Sequence, residues 1–229
     1  MIPIAKPYIG EEEINAVVNV LKSGAIAQGP KVRELEEKFA KFCGTMEGVA
    51  VNSGTAALHA ALHAAGIKPN DEVITTPFTF IATANTILMQ GAKPVFADID
   101  EDTFNIDPEK IESAITKKTK AIVTVDLYGQ LCDYGKIGEI AKDNNLLVVE
   151  DACQAVNAEY NGKKAGSYGG ISAFSFYATK NITCGEGGII ATNNKEFSEN
   201  ARLFRQHGRP KMSSYEYTNL GYNYRMTDI

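Results

Sequence analysis

One lysine in the sequence stands where its charge gains little from its neighbours. Lys180 lies in the stretch AFSFYATKNITCGEGG, between an apolar, aromatic run and a cluster of glycines. Burial among apolar groups disfavours the ammonium form of a lysine and leaves a neutral, nucleophilic amine. Schiff-base chemistry requires an amine of this kind. Taken alone, the stretch is explained equally well by a lysine that reaches solvent or pairs with Glu186.

Two further stretches place polar groups at the ends of predicted strands. In VAVNSGTAALHAAL, a strand is followed by Ser53, Gly54 and Thr55 and then by an alanine-rich helix. The free N–H groups at such a helix start can hold a phosphate, although a simple helix cap explains the same residues. In LLVVEDACQA, a buried strand ends at Glu150 and Asp151. A carboxylate there needs a cation, either in a ligand or in a structural ion pair with arginine or lysine.

Together these features match the protein's side of a pyridoxal 5'-phosphate (PLP) site. Such a site needs a phosphate anchor, a partner for the pyridinium nitrogen and a Schiff-base lysine. We expect Asp151 to keep the ring nitrogen protonated. Lys180 would first carry the cofactor and then, once released, act as a general base.

The elements that position these residues follow a repeating pattern. Short β-branched runs alternate with helix-length segments, which predicts a three-layer α/β fold with a mainly parallel sheet and helices on both faces. Ligands of such sheets collect at the carboxyl ends of the strands. The predicted strands are 48–52, 71–76, 93–99, 120–126, 145–151, 171–177 and 187–193, and the predicted helices are 10–24, 29–44, 55–66, 80–91, 107–118 and 134–145.

Composition excludes several classes of protein. The 229 residues are 44% hydrophobic and 22% charged with a formal net charge of -5, so a broad basic surface for nucleic acid or anionic membranes is not expected. No apolar run has the length of a membrane span, and the start MIPIAKPYIGEEE lacks a signal-peptide pattern, which predicts a cytoplasmic protein. The four cysteines, Cys43, Cys132, Cys153 and Cys184, are far apart, which predicts buried free thiols and no metal site.

The sequence resembles the DegT/StrS family of PLP-dependent nucleotide-sugar aminotransferases, which are built on the fold type I, aspartate aminotransferase-like large domain. The resemblance covers nearly the whole chain in the family's order. It is carried by the stretches KPYIGEEE, AQGPKVRELEEKFAKF, AVNSGTAALHAAL, DEVITTPFTFIATANTILMQGAKPVFADID, VDLYGQ, VVEDACQA, FSFYATKNITCGEGG and GYNYRMTDI.

The resemblance implies a role for each matching site residue. Lys180 would form the Schiff base and Asp151 would pair with the pyridine nitrogen. Asn223 would reach the phosphate in the neighbouring subunit, so the resemblance implies a homodimer with shared active sites. The remaining cofactor-binding residues would be Gly54, Thr55 and Ser175 at the phosphate, Phe80 stacked on the ring, and Gln154 near the ring hydroxyl or face.

The resemblance also implies a domain organisation. Residues 1–45 would form an N-terminal helical arm of the large domain, and residues 46–229 would form the PLP-binding large domain. The small carboxyl-terminal domain of the family would be missing. After EDACQA the family commonly continues with HGA, whereas this chain has Val156 and Asn157 in that segment.

The function expected from the resemblance is transfer of an amino group, from glutamate, to a keto group of a nucleotide-linked sugar. One alternative is a catalytically incomplete PLP-binding fragment or a regulatory protein of the same fold. Another is a sugar dehydratase using PLP or its amine form, but those relatives typically have histidine where this chain has Lys180. A dinucleotide-binding module is disfavoured because no glycine fingerprint follows the first strand.

Overall fold

A computed structural model describes residues 2–210 and 215–229, and within these residues nine strands form two sheets. Seven strands form the central sheet, and all seven were predicted. A two-stranded hairpin, β6 with β7, was not predicted. The strands are β1 Glu47–Val51, β2 Glu72–Thr75, β3 Lys93–Phe96, β4 Thr119–Val125, β5 Leu147–Asp151, β6 Glu159–Tyr160, β7 Lys163–Lys164, β8 Ile171–Ser175 and β9 Gly188–Thr192.

The central sheet has the order β1-β9-β8-β5-β4-β2-β3. Neighbours from β8 to β3 pair in parallel, which confirms the predicted mainly parallel sheet. Strand β9 runs antiparallel to both of its neighbours, β1 and β8. The carboxyl ends of the other six strands therefore lie at one edge of the sheet.

Seven α-helices occur in the described residues, and six of them match predicted segments. The unpredicted seventh follows Asn194, whose side chain caps it by accepting hydrogen bonds from the N–H groups of Glu196 and Phe197. The helices are α1 Glu11–Ser23, α2 Pro30–Cys43, α3 Gly54–Ala64, α4 Ala82–Met89, α5 Pro108–Ala114, α6 Tyr134–Asp143 and α7 Lys195–Arg205, with a short 3-10 turn at Leu127–Gly129.

Most strands of the central sheet have buried side chains on both faces, and the helices lie in two layers that cover these faces. In β1, Val49 and Val51 face the core that contains α3, α4 and α7, whereas Ala50 faces the core that contains α2. Helices α5 and α6 cover the same face as α2, over β2, β4 and β5. The predicted three-layer arrangement is confirmed.

A buried ion pair joins α2 to α7 next to β1. Glu36 Oε1 accepts hydrogen bonds from Arg205 Nη1 at 2.5 Å and from the Ala50 N–H at 2.9 Å. Glu36 Oε2 accepts a further hydrogen bond from Arg202 Nη1 at 2.6 Å. Helix α2, part of the predicted N-terminal arm, is thus attached to the sheet by polar as well as apolar contacts.

The cysteine prediction is partly wrong. All four thiols are free, and Cys43 and Cys132 are buried as expected. Cys153 is half-buried and Cys184 is exposed, because Cys184 lies in the loop between β8 and β9. Within the two described ranges, no helix combines the length and apolar character needed to cross a bilayer.

Candidate functional site

A cavity of about 330 Å³ lies at the carboxyl ends of the parallel strands. Its walls include the last residues of β4, β5 and β8, the start of α3, and the loop between β8 and β9. This is the position that the βαβ pattern predicts for a ligand. Seven of the eight predicted site residues line it: Gly54, Thr55, Phe80, Asp151, Gln154, Ser175 and Lys180.

The start of α3 forms one end of the cavity. Ser53 caps this helix, since its Oγ accepts a hydrogen bond from the Ala56 N–H at 3.1 Å. The N–H groups of Gly54 and Thr55 precede the first intrahelical bonds, and no acceptor for them is found in the described part of the chain. A Cβ atom at position 54 would lie 2.7 Å from Ser175 Cβ, so only glycine allows this close approach. Ser53 is therefore a helix cap, whereas the N–H groups of Gly54 and Thr55 remain available to bind an anion.

Asp151 lies at the end of β5 and is only 5% exposed. Its Oδ2 accepts a hydrogen bond from Thr83 Oγ1 at 2.8 Å, and its Oδ1 accepts one from the Cys153 N–H at 3.2 Å. Burial raises the pKa of Asp151, whereas these hydrogen bonds and the charge of Lys180 lower it. No described lysine or arginine forms an ion pair with this carboxylate. A cation in the cavity would compensate the buried charge.

The neighbouring carboxylate points away from the cavity. Glu150 accepts hydrogen bonds from three backbone N–H groups, those of Gly166, Tyr168 and Gly169. Burial raises the pKa of Glu150, and these backbone donors oppose the rise. The alternative of a structural ion pair with lysine or arginine is therefore incorrect for Glu150, because backbone groups satisfy its oxygens.

Lys180 is positioned by a turn in the loop between β8 and β9. Its backbone N–H donates a hydrogen bond to the Tyr177 carbonyl oxygen at 2.9 Å, and its half-buried side chain lines the cavity. Glu186 also lines the cavity but forms no ion pair with Lys180 in the described structure. The expected desolvation is only partial, because the preceding apolar run is strand β8. The side chains of β8 are buried in the core and do not surround the lysine.

Phe80 and Gln154 form the walls beside Lys180 and Asp151. The Phe80 side chain is 69% exposed, so one face of its ring is available as a flat apolar platform. Gln154 Oε1 accepts a hydrogen bond from the Tyr128 N–H at 3.0 Å. This contact fixes the amide so that its NH₂ group is free to donate elsewhere.

Thr83, which was not predicted as a site residue, contacts Asp151 directly. Thr83 is 1% exposed, and its hydroxyl also lies 2.9 Å from Thr79 Oγ1. Thr79 lies three residues before α4, and Thr83 lies in the first turn of that helix. The recurrence of a threonine after four residues, in the segment that follows β2, was the available signal.

Asn223 does not line this cavity. Its side chain is exposed, and its backbone carbonyl accepts a hydrogen bond from Asn52 Nδ2 at 3.4 Å. Tyr222 and Tyr224 stack on each other with ring centroids 5.1 Å apart and pack against His59. Alternate side chains of an extended segment point in opposite directions, so Asn223 faces away from this aromatic cluster. Its role in a neighbouring subunit stays a prediction.

The two residues that depart from the family pattern also lie outside the cavity. Val156 is buried in the core that contains α2. Asn157 adopts a left-handed backbone conformation with φ 69° and accepts a hydrogen bond from Lys164 Nζ at 2.7 Å. Neither departure alters a cavity-lining side chain.

The sequence profile of the DegT/DnrJ/EryC1/StrS aminotransferase family matches residues 7–229. The chain belongs to this family. It is 46% identical over 229 residues to GDP-perosamine synthase of Caulobacter vibrioides, covering 100% of this chain and 62% of that protein. It is 45% identical over 233 residues to the Pleiotropic regulatory protein of Geobacillus stearothermophilus, again covering 100% of this chain and 62% of the relative.

Solved structures of related proteins have the same fold as this DegT/DnrJ/EryC1/StrS member. The PLP form of Spr1654 from Streptococcus pneumoniae superposes with a TM-score of 0.93 at 35% identity, covering 99% of this chain and 63% of that one. The predicted fold, the large domain of PLP fold type I, is therefore confirmed. The chain spans about 62% of the length of the two curated relatives named here.

Proposed function

We propose that this chain is a PLP-dependent aminotransferase that moves an amino group, from glutamate, to a keto group of a nucleotide-linked sugar. The observation that carries the proposal is the composition of one cavity. Within the described residues, a helix start with unbonded N–H groups, a buried carboxylate without an ion pair and a lysine without an ion pair line the same cavity of about 330 Å³. Membership of an aminotransferase family supports the same conclusion.

The cavity residues fit the three reactive parts of PLP. The free N–H groups of Gly54 and Thr55, with the Ser175 hydroxyl, suit a phosphate at the positive end of the α3 dipole. Asp151, buried and without an ion pair among the described residues, suits the protonated pyridine nitrogen. Lys180 supplies the amine that the aldehyde requires. A cavity of about 330 Å³ lies within the range of sites that enclose small ligands.

Bound PLP would supply an electron sink for the substrate carbanion. The protein's own groups would then hold and move protons. Asp151 would hold the proton on the ring nitrogen, with Thr83 fixing the orientation of the carboxylate through its 2.8 Å hydrogen bond. Lys180 Nζ, once free, would move a proton at the substrate carbon that bears nitrogen. Phe80 and Gln154 would orient the ring from the walls of the cavity.

The finer parts of the proposal concern substrate and assembly. The name of the relative GDP-perosamine synthase supports a nucleotide-linked sugar as substrate. We further propose a cytoplasmic homodimer in which Asn223 of each subunit reaches the phosphate of the other; its outward orientation is compatible with that role. Residues 1–45 would be the helical arm of the large domain formed by residues 46–229.

Attachment of the cofactor tests the catalytic proposal. Protein incubated with PLP should absorb in the visible, and borohydride should fix the cofactor on the peptide that contains Lys180. Lys180→Ala should abolish both signals, and the matched control Lys163→Ala, at an exposed lysine, should retain both. Attachment at other lysines to the same extent in Lys180→Ala would contradict the proposal.

A second candidate is a regulatory protein that holds PLP without turnover, which the relationship to the Pleiotropic regulatory protein favours. Incubation of the PLP-loaded chain with glutamate and a keto-sugar nucleotide separates the two. Formation of an amino sugar supports the aminotransferase. Cofactor attachment at Lys180 without amino sugar supports the regulatory protein, and loss of water without amino transfer supports a dehydratase.

A further inference from the structure

Tyr128 combines a rare backbone conformation with an exposed aromatic ring. Its dihedral angles are φ 53° and ψ 23°, in the left-handed region that bulky residues seldom adopt. Its side chain is 81% exposed, and its ring makes no aromatic contact within the described residues. The fold therefore gains little from a tyrosine at a position where glycine would be unstrained.

Buried polar side chains hold the turn around Tyr128 in place. Asn105, which is 3% exposed, accepts a hydrogen bond from the Leu127 N–H at 3.2 Å and donates one to the Gln130 carbonyl at 2.9 Å. The fully buried Asp126 accepts a hydrogen bond from the Cys132 N–H at 3.1 Å. The turn is thus fixed on both sides of Tyr128, and these contacts maintain the strained conformation.

The Tyr128 ring lies between two grooves beside the candidate site. The first, of about 480 Å³, is lined by Tyr128, Gln154, Thr179, Lys180 and Asn181, and it adjoins the cavity through Gln154, Thr179 and Lys180. The second groove, of about 660 Å³, is lined by Tyr128 and by residues that include Asp133 and Glu159, whose carboxylates each lie 3.9 Å from a lysine Nζ. Tyr128 is therefore shared by the groove next to Lys180 and a second groove.

We propose that the Tyr128 ring is a wall of the sugar subsite and positions the keto carbon of the substrate next to Lys180. The inference rests on the proposed function and deepens it. A pyranose presents an apolar C–H face, and an exposed aromatic face is a suitable partner for it.

Calorimetric titration of the PLP-loaded chain separates a sugar contact from a nucleotide contact. The probes are UDP-glucose, GDP-mannose and dTDP-glucose, each compared with its own nucleoside diphosphate. We expect the unsubstituted protein to bind at least one sugar nucleotide more tightly than the matching diphosphate. Tyr128→Ala should bind that sugar nucleotide about tenfold more weakly and bind the diphosphate with unchanged affinity. Tyr128→Phe should bind the sugar nucleotide within about twofold of the original affinity.

Tyr128→Gly provides a second measurement that does not depend on the ligand. Glycine relieves the left-handed strain, so its midpoint of thermal unfolding should rise by roughly 2–4 °C. The same variant should lose sugar-nucleotide affinity to the extent that Tyr128→Ala does. A gain in stability with a loss of binding is expected of a residue retained for ligand contact.

Several results would overturn the inference. Equal weakening of diphosphate and sugar nucleotide in Tyr128→Ala would show that the ring contacts the nucleotide. A changed sedimentation coefficient would show that it is a subunit contact, and unchanged binding would show that it has no ligand role. If the unsubstituted protein binds no sugar nucleotide more tightly than its diphosphate, the sugar subsite is absent. Failure of PLP to attach to Lys180 would instead contradict the proposed function itself.

Discussion

The carboxylate of Asp228 accepts a hydrogen bond from the backbone N–H of Gly29, 199 positions earlier in the chain, at 2.7 Å. It also accepts hydrogen bonds from the N–H groups of Lys31 at 3.0 Å and Val32 at 3.0 Å, in the first turn of α2. Gly29 is the N-cap residue of α2 and has no side chain of its own to satisfy these donors. A Cβ atom at position 29 would lie 2.7 Å from Asp228 Oδ2, so the glycine makes room for the distant carboxylate.

Removal of this cap should destabilise the fold. Asp228→Ala leaves three N–H groups at a helix start without their charged acceptor, and we expect a loss of about 2 kcal/mol in the free energy of unfolding. Asp102→Ala, at an exposed position, is the matched control and should change stability by less than about 0.5 kcal/mol. Urea denaturation monitored by circular dichroism measures both. Equal midpoints for the two variants would contradict the capping role.

Breaking the ion pair between α2 and α7 should destabilise the fold, because one buried charge would lose its partner. Arg205 is 4% exposed, and Glu36 compensates its charge. Glu36→Gln leaves a buried guanidinium without a counter-charge, so we expect a loss of about 3 kcal/mol. Glu34→Gln, on the same helix but at exposed surface pairs with Lys31 and Lys38, should leave the denaturation midpoint unchanged. A similar shift in both variants would rule out a special role for Glu36.

Thr83 should affect PLP binding through Asp151. Its hydrogen bond lowers the pKa of Asp151, against the larger effect of burial. Thr83→Val keeps the shape of the side chain but removes its hydroxyl donor. The neutral form of the Asp151 carboxyl is then favoured, and this weakens its pairing with the pyridinium nitrogen of bound PLP. We expect an affinity for PLP about tenfold lower, measured by titration in the visible, whereas Thr83→Ser should bind as the unsubstituted protein does. Equal affinities for the valine and serine variants would refute this role.

His59 should make stability depend on pH. The side chain is 1% exposed, and burial, followed by the charge of His63, lowers its pKa from 6.5 to about 4. The unfolded chain therefore binds a proton at this position between about pH 6.5 and pH 4, where the folded chain does not. The stability contribution of neutral His59 is fully present above about pH 6.5 and decreases as the pH falls towards 4.

A comparison with His59→Gln isolates this effect. Between about pH 7.5 and pH 5, the unsubstituted protein should lose about 2 kcal/mol more stability than the variant. The buried carboxyl groups, whose pKa values are raised, titrate in both proteins, so their contribution cancels in the difference. Parallel pH profiles of unfolding free energy would show that protonation of His59 is not linked to folding.

Much of the sheet and several site residues were predictable because their signals are local. Strands β4 and β5 are buried on both faces, which gives continuous apolar runs, and Asp151 follows such a run directly. The apolar run of β9 reads the same in parallel and antiparallel pairing, and the only signal of its antiparallel direction is that the described residues between β8 and β9 form no connecting helix. Helix α7 was missed because only two of its four buried residues, Ala201 and Phe204, are apolar, which leaves a weak hydrophobic pattern.

The features that were not predicted depend on contacts between distant segments of the chain. The hydrogen bond from Thr83 to Asp151 joins residues 68 positions apart, and nothing in either local sequence specifies the pairing. The same holds for the hydrogen bonds of Asp228 to the start of α2. The half-buried state of Lys180 depends on how the loop after β8 is placed over the cavity, which the apolar residues before the lysine do not determine.

The walls of the cavity come from segments that span positions 53 to 186 and are brought together only by the folded sheet. A molecule that fills this space has no equivalent binding site on the unfolded chain, so occupancy and folding are thermodynamically linked. At a concentration one hundred times its dissociation constant, such a ligand raises the unfolding free energy by about 2.7 kcal/mol. The protein should consequently be more resistant to heat and proteolysis in a cell that keeps this cavity filled.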